Sequence, residues 1–218
     1  MKKLQIDIVS DVMCPWCIVG YKGLEMALDQ LSSEVEADIN WLPFELNPQM
    51  PVEGQDLREH LMEKYGITEQ QSDQNRDMIA QRGQDVGFTF NYTDRLRMIN
   101  SFDCHRLLTW AKDQGKQHQL QMALFTAHFD HNRPLNEKDE LLAVVTACEL
   151  DVQQAKDILN SDAYADQVRA GQNQSMQMGI QSVPTFIINR KYALSGGQPV
   201  AAFRQALTQI LEAQNDVV

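Results

Sequence analysis

A chain of 218 residues, 43% of them hydrophobic, can bury a substantial core without disulfide staples, which excludes disordered chains and small stapled scaffolds. Its 19 Lys and Arg stand against 30 Asp and Glu, a net charge of −11; nucleic-acid affinity rests on basic side chains displacing counterions, so neither nucleic acid nor an anionic membrane is an expected partner. Glycine (11) and proline (7) fall below the roughly 12% of average usage, which predicts long helices joined by few turns.

The N-terminus opens with Lys2 and Lys3 as a signal peptide does, but Gln5, Asp7 and Asp11 interrupt the apolar run that export requires. Leu4, Ile6 and Ile8 instead alternate with Gln5, Asp7 and Val9, the pattern of a strand with one buried face. Pro15 then stands where a first helical residue would. Leu24, Ala27, Leu28 and Leu31 recur at helical spacing and predict an amphipathic helix running to about Ser32. A second strand is predicted from about Glu36 to Leu46, with Ile39 and Trp41 on one phase and Leu42, Phe44 and Leu46 on the other. The slip beside Pro43 predicts a bulge or an edge position.

After Asn47-Pro48 the chain changes character. Glycine and proline are absent from Ile67 to Arg82, from Phe88 to Gln114 and from Leu135 to Ala170, and these stretches are predicted to be helical. Cys104, Leu107, Leu108 and Ala111 share one helical face, as do Leu141, Val145 and Cys148. His128 and His131 read as helix-end residues. Beyond Gly179 the strand pattern returns as Thr185 to Ile188, a turn at Asn189-Arg190-Lys191, and a hairpin partner from Tyr192 to Ser195. Pro199 opens a last amphipathic helix with Phe203, Leu207, Ile210 and Leu211 on one face. The order strand, helix, strand, helical block, hairpin, helix predicts an α/β fold. Residues 1–47 and 179–218 close one sheet, and 48–178 form a large all-helical insertion. No window has the length and apolarity of a membrane span, and a soluble, cytoplasmic chain is expected.

The chemistry concentrates in Cys14-Pro15-Trp16-Cys17, at the junction of the first strand and helix. Two cysteines three apart in a first helical turn lie within disulfide reach, and the helix N-terminus offers unpaired N–H groups and a positive dipole end to a thiolate at Cys14. Helix-start Cys-X-X-Cys motifs lower the first thiol from about 8.5 to roughly 3.5–7.5, which makes Cys14 the predicted nucleophile. Cys17 then attacks the mixed disulfide and releases the partner. A zinc site would need two more ligands, such as His128 and His131, and no second Cys-X-X-Cys exists; no metal is expected. Two buried structural cysteines are the other alternative, with little packing reason for Pro and Trp between them. Four cysteines in a chain of this size do not make a secreted disulfide framework.

These residues carry a resemblance. The strand-Cys14-Pro15-Trp16-Cys17-helix unit, the long helical block, Val183-Pro184-Thr185-Phe186 and Ser195-Gly196-Gly197-Gln198-Pro199 resemble the DsbA-like thioredoxin-fold oxidoreductases, in particular the cytoplasmic FrnE-type branch, over essentially the whole chain. Asn100 to Leu107 is similar to the same branch, which usually has alanine where Cys104 stands. The resemblance implies a thioredoxin fold, a cis Val183–Pro184 bond facing the cysteine pair, and substrate contacts from Val183, Pro184 and Trp16. A proline there offers no N–H to the thiolate, and the Val183 backbone is left to pair with an extended peptide.

Other residues keep two readings. Cys104 and Cys148 read as buried thiols on apolar faces, with a second redox pair as the competing account. His105 either points from the insertion into the cleft and tunes the thiolate or is an ordinary histidine. Asp11 is either a proton acceptor near the cysteine pair or a strand-end turn carboxylate. The leading function is thiol-disulfide exchange on disulfide or dithiol polypeptides or small molecules, with no resident cofactor and with glutathione as a candidate thiol co-substrate. The alternative is a glutathione-dependent isomerase or transferase of the 2-hydroxychromene-2-carboxylate isomerase or kappa class, enzymes that usually carry serine at the nucleophile's position. A binder without catalysis is a third reading, and a homodimer stays open.

Overall fold

In the computed structural model, which describes residues 1–93 and 95–215, strand β1 (Lys2–Ser10) buries Leu4, Ile6 and Ile8 as expected, but every residue from Ile6 to Ser10 is buried, so the end of this central strand is covered on both faces rather than one. Helix α1 (Pro15–Asp29) starts at Pro15 with Cys14 as its N-cap and buries Cys17, Ile18, Tyr21, Leu24 and Ala27. It stops three residues short of Ser32, where the chain tightens into turns closed by Leu31 N–H to the Leu28 carbonyl (2.9 Å) and Ser32 N–H to the Asp29 carbonyl (3.3 Å). Strand β2 (Val35–Pro43) ends at the proline, so Phe44 to Leu46 lie outside the sheet.

A two-stranded ribbon, β3 (Gln55–Asp56) with β4 (Arg97–Met98), brackets a helical hairpin of α2 (Leu57–Tyr65) and α3 (Glu69–Asp85). The Asp56 carboxylate caps α2 by accepting from Glu59 N–H, and Thr68 and Gln71 form a reciprocal capping box at α3. Arg58 ties the two together through Glu69 and Asp73. The sequence predicts helix through Phe88 to Gln114; instead residues 88–93 and 95–101 are largely irregular apart from β4, and helix resumes only at α4 (Phe102–Asp113). Gly87 at φ +74° ends the preceding helix, and Phe88, Phe90 and Tyr92 recur with period two, which suits an extended segment packing one face. Then come α5 (Gln117–Phe125), a π-helical turn at Thr126–Asp130, α6 (Lys138–Ala147), α7 (Val152–Leu159) and α8 (Ala165–Gln177).

Strand β5 (Thr185–Ile188) and strand β6 (Tyr192–Ser195) form the expected hairpin, turned by Asn189 and Arg190 at φ +52° and +57°, before α9 (Val200–Asn215). Among the described residues the main sheet has the order β2-β1-β5-β6. β1 and β2 run parallel from Lys2 opposite Val35 to Ser10 opposite Pro43, while β5 pairs antiparallel with both β1 and β6. β2 is therefore an edge strand, and its register runs without a bulge.

Two apolar cores result. The first joins Leu4, Ile6 and Ile8 to α1 and to Phe203, Leu207, Ile210 and Leu211 of α9, and takes in Phe88, Phe90, Phe125 and Phe129 from the middle of the chain. The second is built from α4 to α7 around Leu107, Trp110, Leu120, Leu124, Leu141 and Val145. Val12 and Met13 belong to the second core, while Cys14 and Cys17 belong to the first. The cysteine pair thus sits where the cores meet.

Candidate active site

The loop from β1 to α1 is fixed from below by Asp11, which is almost wholly buried. Its carboxylate accepts from Met13 N–H (3.2 Å) and Leu46 N–H (2.7 Å), and its carbonyl accepts from Cys14 N–H (3.0 Å). Burial alone would raise this carboxyl, but His105, the Leu46 amide and the Ser101 hydroxyl outweigh it and hold it below the usual carboxylate range. Asp11 thus accepts from the backbone on both sides of the turn, at Met13 and at Leu46. His105 does not enter the cleft: its Nε2 donates to the Phe44 carbonyl (2.8 Å) and lies 3.5 Å from Asp11 Oδ1. A buried imidazole has to satisfy its nitrogens, and here the segment after β2 supplies the acceptor.

Cys14 and Cys17 lie one turn apart, with Cys17 N–H donating to the Cys14 carbonyl (3.0 Å). The Cys14 thiol points at the Val183 carbonyl, 3.7 Å away, beside the cis Val183–Pro184 bond. Cys17 is fully buried. Burial and the adjoining Cys14 sulfur push its thiol well up, against a smaller pull down from the Ser10 hydroxyl and the Asp11 backbone. The Ser10 Oγ finds no nitrogen or oxygen partner among the described residues, so the Cys17 sulfur is its polar neighbour.

Cys14 opens onto a cavity of about 540 Å³ between the sheet end and the α2–α3 hairpin. Its walls are mostly apolar: Met13, Pro15, Trp16 and Val183 on one side, Leu57, Leu61, Tyr65, Ile79 and Met98 on the other, with Tyr92, Phe129 and His128 completing the lining. Arg76 also reaches the cavity, paired with Asp73 and 6.0 Å from the Tyr92 ring centre. Trp16 is held against the backbone at Gly197, where an added Cβ would come within 3.1 Å of its ring. A second, more polar cavity of about 670 Å³, lined by Gln5, Asp7, Asn40 and His118, includes neither cysteine of the pair.

The structure thus brings together Cys14, Trp16 and Val183, with Cys17 and Pro184 immediately behind. Cys104 and Cys148 are buried in the second core, where Cys148 contacts the Gln119 carbonyl (3.9 Å). All four cysteines are free thiols. Burial raises both core thiols, helped at Cys104 by Asp11 and Asp103 and opposed at Cys148 by Lys116.

Sequence reasoning missed Arg76, Tyr92 and above all His128. His128 does lie in the last turn of its helical segment, as expected, but its side chain is buried within the π-helical turn rather than exposed. Its neighbour Phe129 is a local signal of burial, and the His128 ring meets that ring edge-on, but no sequence spacing places His128 on the cavity wall.

The sequence pattern of a family described as DSBA-like thioredoxin domain matches residues 5–208. A crystal structure of a probable DsbA oxidoreductase from Streptomyces coelicolor superimposes with a TM-score of 0.88 at 33% identity, covering 94% of this chain and 89% of that one. A 2-hydroxychromene-2-carboxylate isomerase structure aligns with a TM-score of 0.69 over 98% of this chain and 99% of that one, but at 12% identity it shares the fold alone. A Bacillus subtilis protein described only as uncharacterized, YwbO, is 27% identical over 190 residues, 85% of this chain and 86% of its own.

Proposed function

The chain belongs to the DsbA-like thioredoxin domain family, and from that premise we propose that it is a thiol-disulfide oxidoreductase working through Cys14 and Cys17. The observation that carries this reading is the placement of Cys14: the residue stands at the N-cap of α1, its sulfur faces the Val183 main chain, and it opens to an apolar cavity with a second cysteine one turn behind it. In the reducing direction Cys14, as thiolate, attacks one sulfur of a substrate disulfide. A bond forms between the two sulfurs, the substrate S–S bond breaks, and the departing sulfur keeps the electron pair and takes a proton from solvent. Cys17 then gives up its proton and attacks Cys14, releasing the second substrate thiol. The pair loses two electrons and the substrate gains them; a small thiol such as glutathione restores the dithiol, and the reverse sequence oxidises a substrate.

Extended polypeptide is the proposed macromolecular substrate. Among the described residues the Val183 amide donates no hydrogen bond, which leaves a main-chain donor beside Cys14 for strand-like pairing. Glutathione, itself peptide-like, fits the same edge. We assign residues 1–47 and 179–218 to the thioredoxin-like domain and 48–178 to the insertion, in a cytoplasmic protein of the FrnE type.

Cys17→Ser tests the two-step exchange. A covalent mixed disulfide with a disulfide peptide should accumulate on non-reducing electrophoresis, and its absence rejects the mechanism. Equilibration of the wild-type pair with glutathione then fixes the direction of function through its potential. If Cys17→Ser instead keeps full glutathione-dependent turnover of an unsaturated small molecule while wild type exchanges no disulfide, the isomerase reading replaces this one.

A further inference from the structure

His128 is a buried polar side chain on the wall of the Cys14 cavity with no hydrogen-bond partner among the described residues. The π-helical turn Thr126–Asp130 buries three successive side chains in three settings: Ala127 in the second core, Phe129 in the first, and His128 between them on the cavity wall. Such turns recur at functional sites. Nδ1 of His128 is enclosed without a hydrogen-bond partner among the described residues, whereas Nε2 is not so enclosed and the ring lines the cavity. An enclosed N–H with no acceptor is costlier than an enclosed lone pair, which favours the tautomer with hydrogen on Nε2. Burial, opposed by Asp11, brings the His128 pKa down to about 4, so the ring is neutral at physiological pH and carries one N–H. It is thus a buried donor on the wall of a largely apolar cavity.

We propose that His128 is a catalytic residue of the exchange reaction, its Nε2–H donating to the sulfur that leaves the substrate disulfide when Cys14 attacks. This rests on the oxidoreductase reading. Negative charge gathers on that sulfur as the S–S bond breaks, and a preorganised donor in a water-poor site favours the charged transition state over the neutral disulfide. No proton is transferred from His128: the N–H stays intact, and the released thiolate is protonated by solvent. The ligand class follows as a disulfide whose departing half is an alkyl thiolate, the poor leaving group that gains most from a donor.

The test uses reduced protein in single turnover with two small disulfides, bis(2-hydroxyethyl) disulfide, which expels an alkyl thiolate, and Ellman's reagent, which expels a well-stabilised aromatic one. His128→Phe should slow the alkyl disulfide about tenfold, less than the roughly hundredfold or more lost with a donor to oxygen because sulfur is a weak acceptor, and change Ellman's reagent less than twofold. His128→Gln, which retains an N–H donor, should recover most of the loss. Both rates are read on one preparation, so a lowered folded fraction cancels from their ratio, and His128→Leu repeats the measurement in case the phenylalanine variant does not fold. Equal slowing of both disulfides, or no slowing, overturns the role of His128 while leaving the cysteine mechanism standing. A wild-type protein inert to both removes the oxidoreductase reading, and this inference with it.

Discussion

Contact with the cavity separates the four buried cysteines. Cys17, Cys104 and Cys148 are all driven toward the thiol form, by burial first and then, for Cys17 and Cys104, by negative neighbours, while Cys14 alone lines the cavity. Iodoacetamide at about pH 6 should therefore modify the native reduced protein once, at Cys14, and reach the other three only after unfolding; equal labelling, or Cys17 first, rejects the assignment. Cys104 and Cys148 changed together to alanine should lower stability by about 1–3 kcal/mol and leave exchange near wild type, whereas a collapse of turnover without unfolding would reveal a second redox pair. Asp11→Asn replaces a charged acceptor under the active-site turn by a neutral one and should cost about 2 kcal/mol in denaturant unfolding at neutral pH. Because the folded-state pKa of Asp11 is depressed, its contribution is full above the unfolded carboxyl pKa and is lost as pH falls through the folded value. The gap between variant and wild type should close in that acid window. The position of Cys14 and Cys17 at the start of α1 was legible in the sequence because helix-start geometry needs only local spacing, but the environments of Asp11 and His105 depend on Phe44 and Leu46, over thirty residues away from either Asp11 or His105.

At the level of elements, β1, the β5–β6 hairpin and the start of α1 could be read directly, because their β-branched and apolar residues, their turn residues and Pro15 are local signals. The stretch from Phe88 to Ile99 could not. Absence of glycine and proline permits a helix without requiring one, and here tertiary contact decides: Gly83 of α3 lies so close to the extended segment that an added Cβ would meet Phe90 Cδ2 at 2.5 Å and the Phe88 carbonyl at 2.7 Å. Gly83→Ala tests this docking. Helix propensity favours alanine by about 0.5–1 kcal/mol, yet the overlap includes a backbone oxygen that cannot swing aside, and forced overpacking costs about 1–3 kcal/mol. A net loss of stability is expected, with faster hydrogen exchange in α3; a more stable variant would show that the two segments do not bear on each other. The β3–β4 ribbon, two residues on each side, is too short to leave any periodic trace. The π-helical turn is hidden for another reason, since its sequence still scans as ordinary helix.

Across the whole molecule the two cores interlock rather than abut. Phe88, Phe90, Phe125 and Phe129 leave the middle of the chain to join the first core, and Val12 and Met13 cross from the sheet end into the second. Unfolding should accordingly be one transition. Trp41 in the first core and Trp110 in the second, each followed in a variant whose other two tryptophans are phenylalanine, should give superimposable urea curves; separated midpoints would show that the cores fold independently. The meeting of the cores also decides how the reactive sulfur is approached. Cys14 is only 4% exposed, so its sulfur is reached by way of the cavity rather than from open solvent. On the proposed reading such a recess works as a sieve for conformation: a disulfide held in a compact partner cannot be brought to the sulfur, while one in a slack chain or a small molecule can. Selectivity of this kind reads whether a substrate is folded, not what its sequence is.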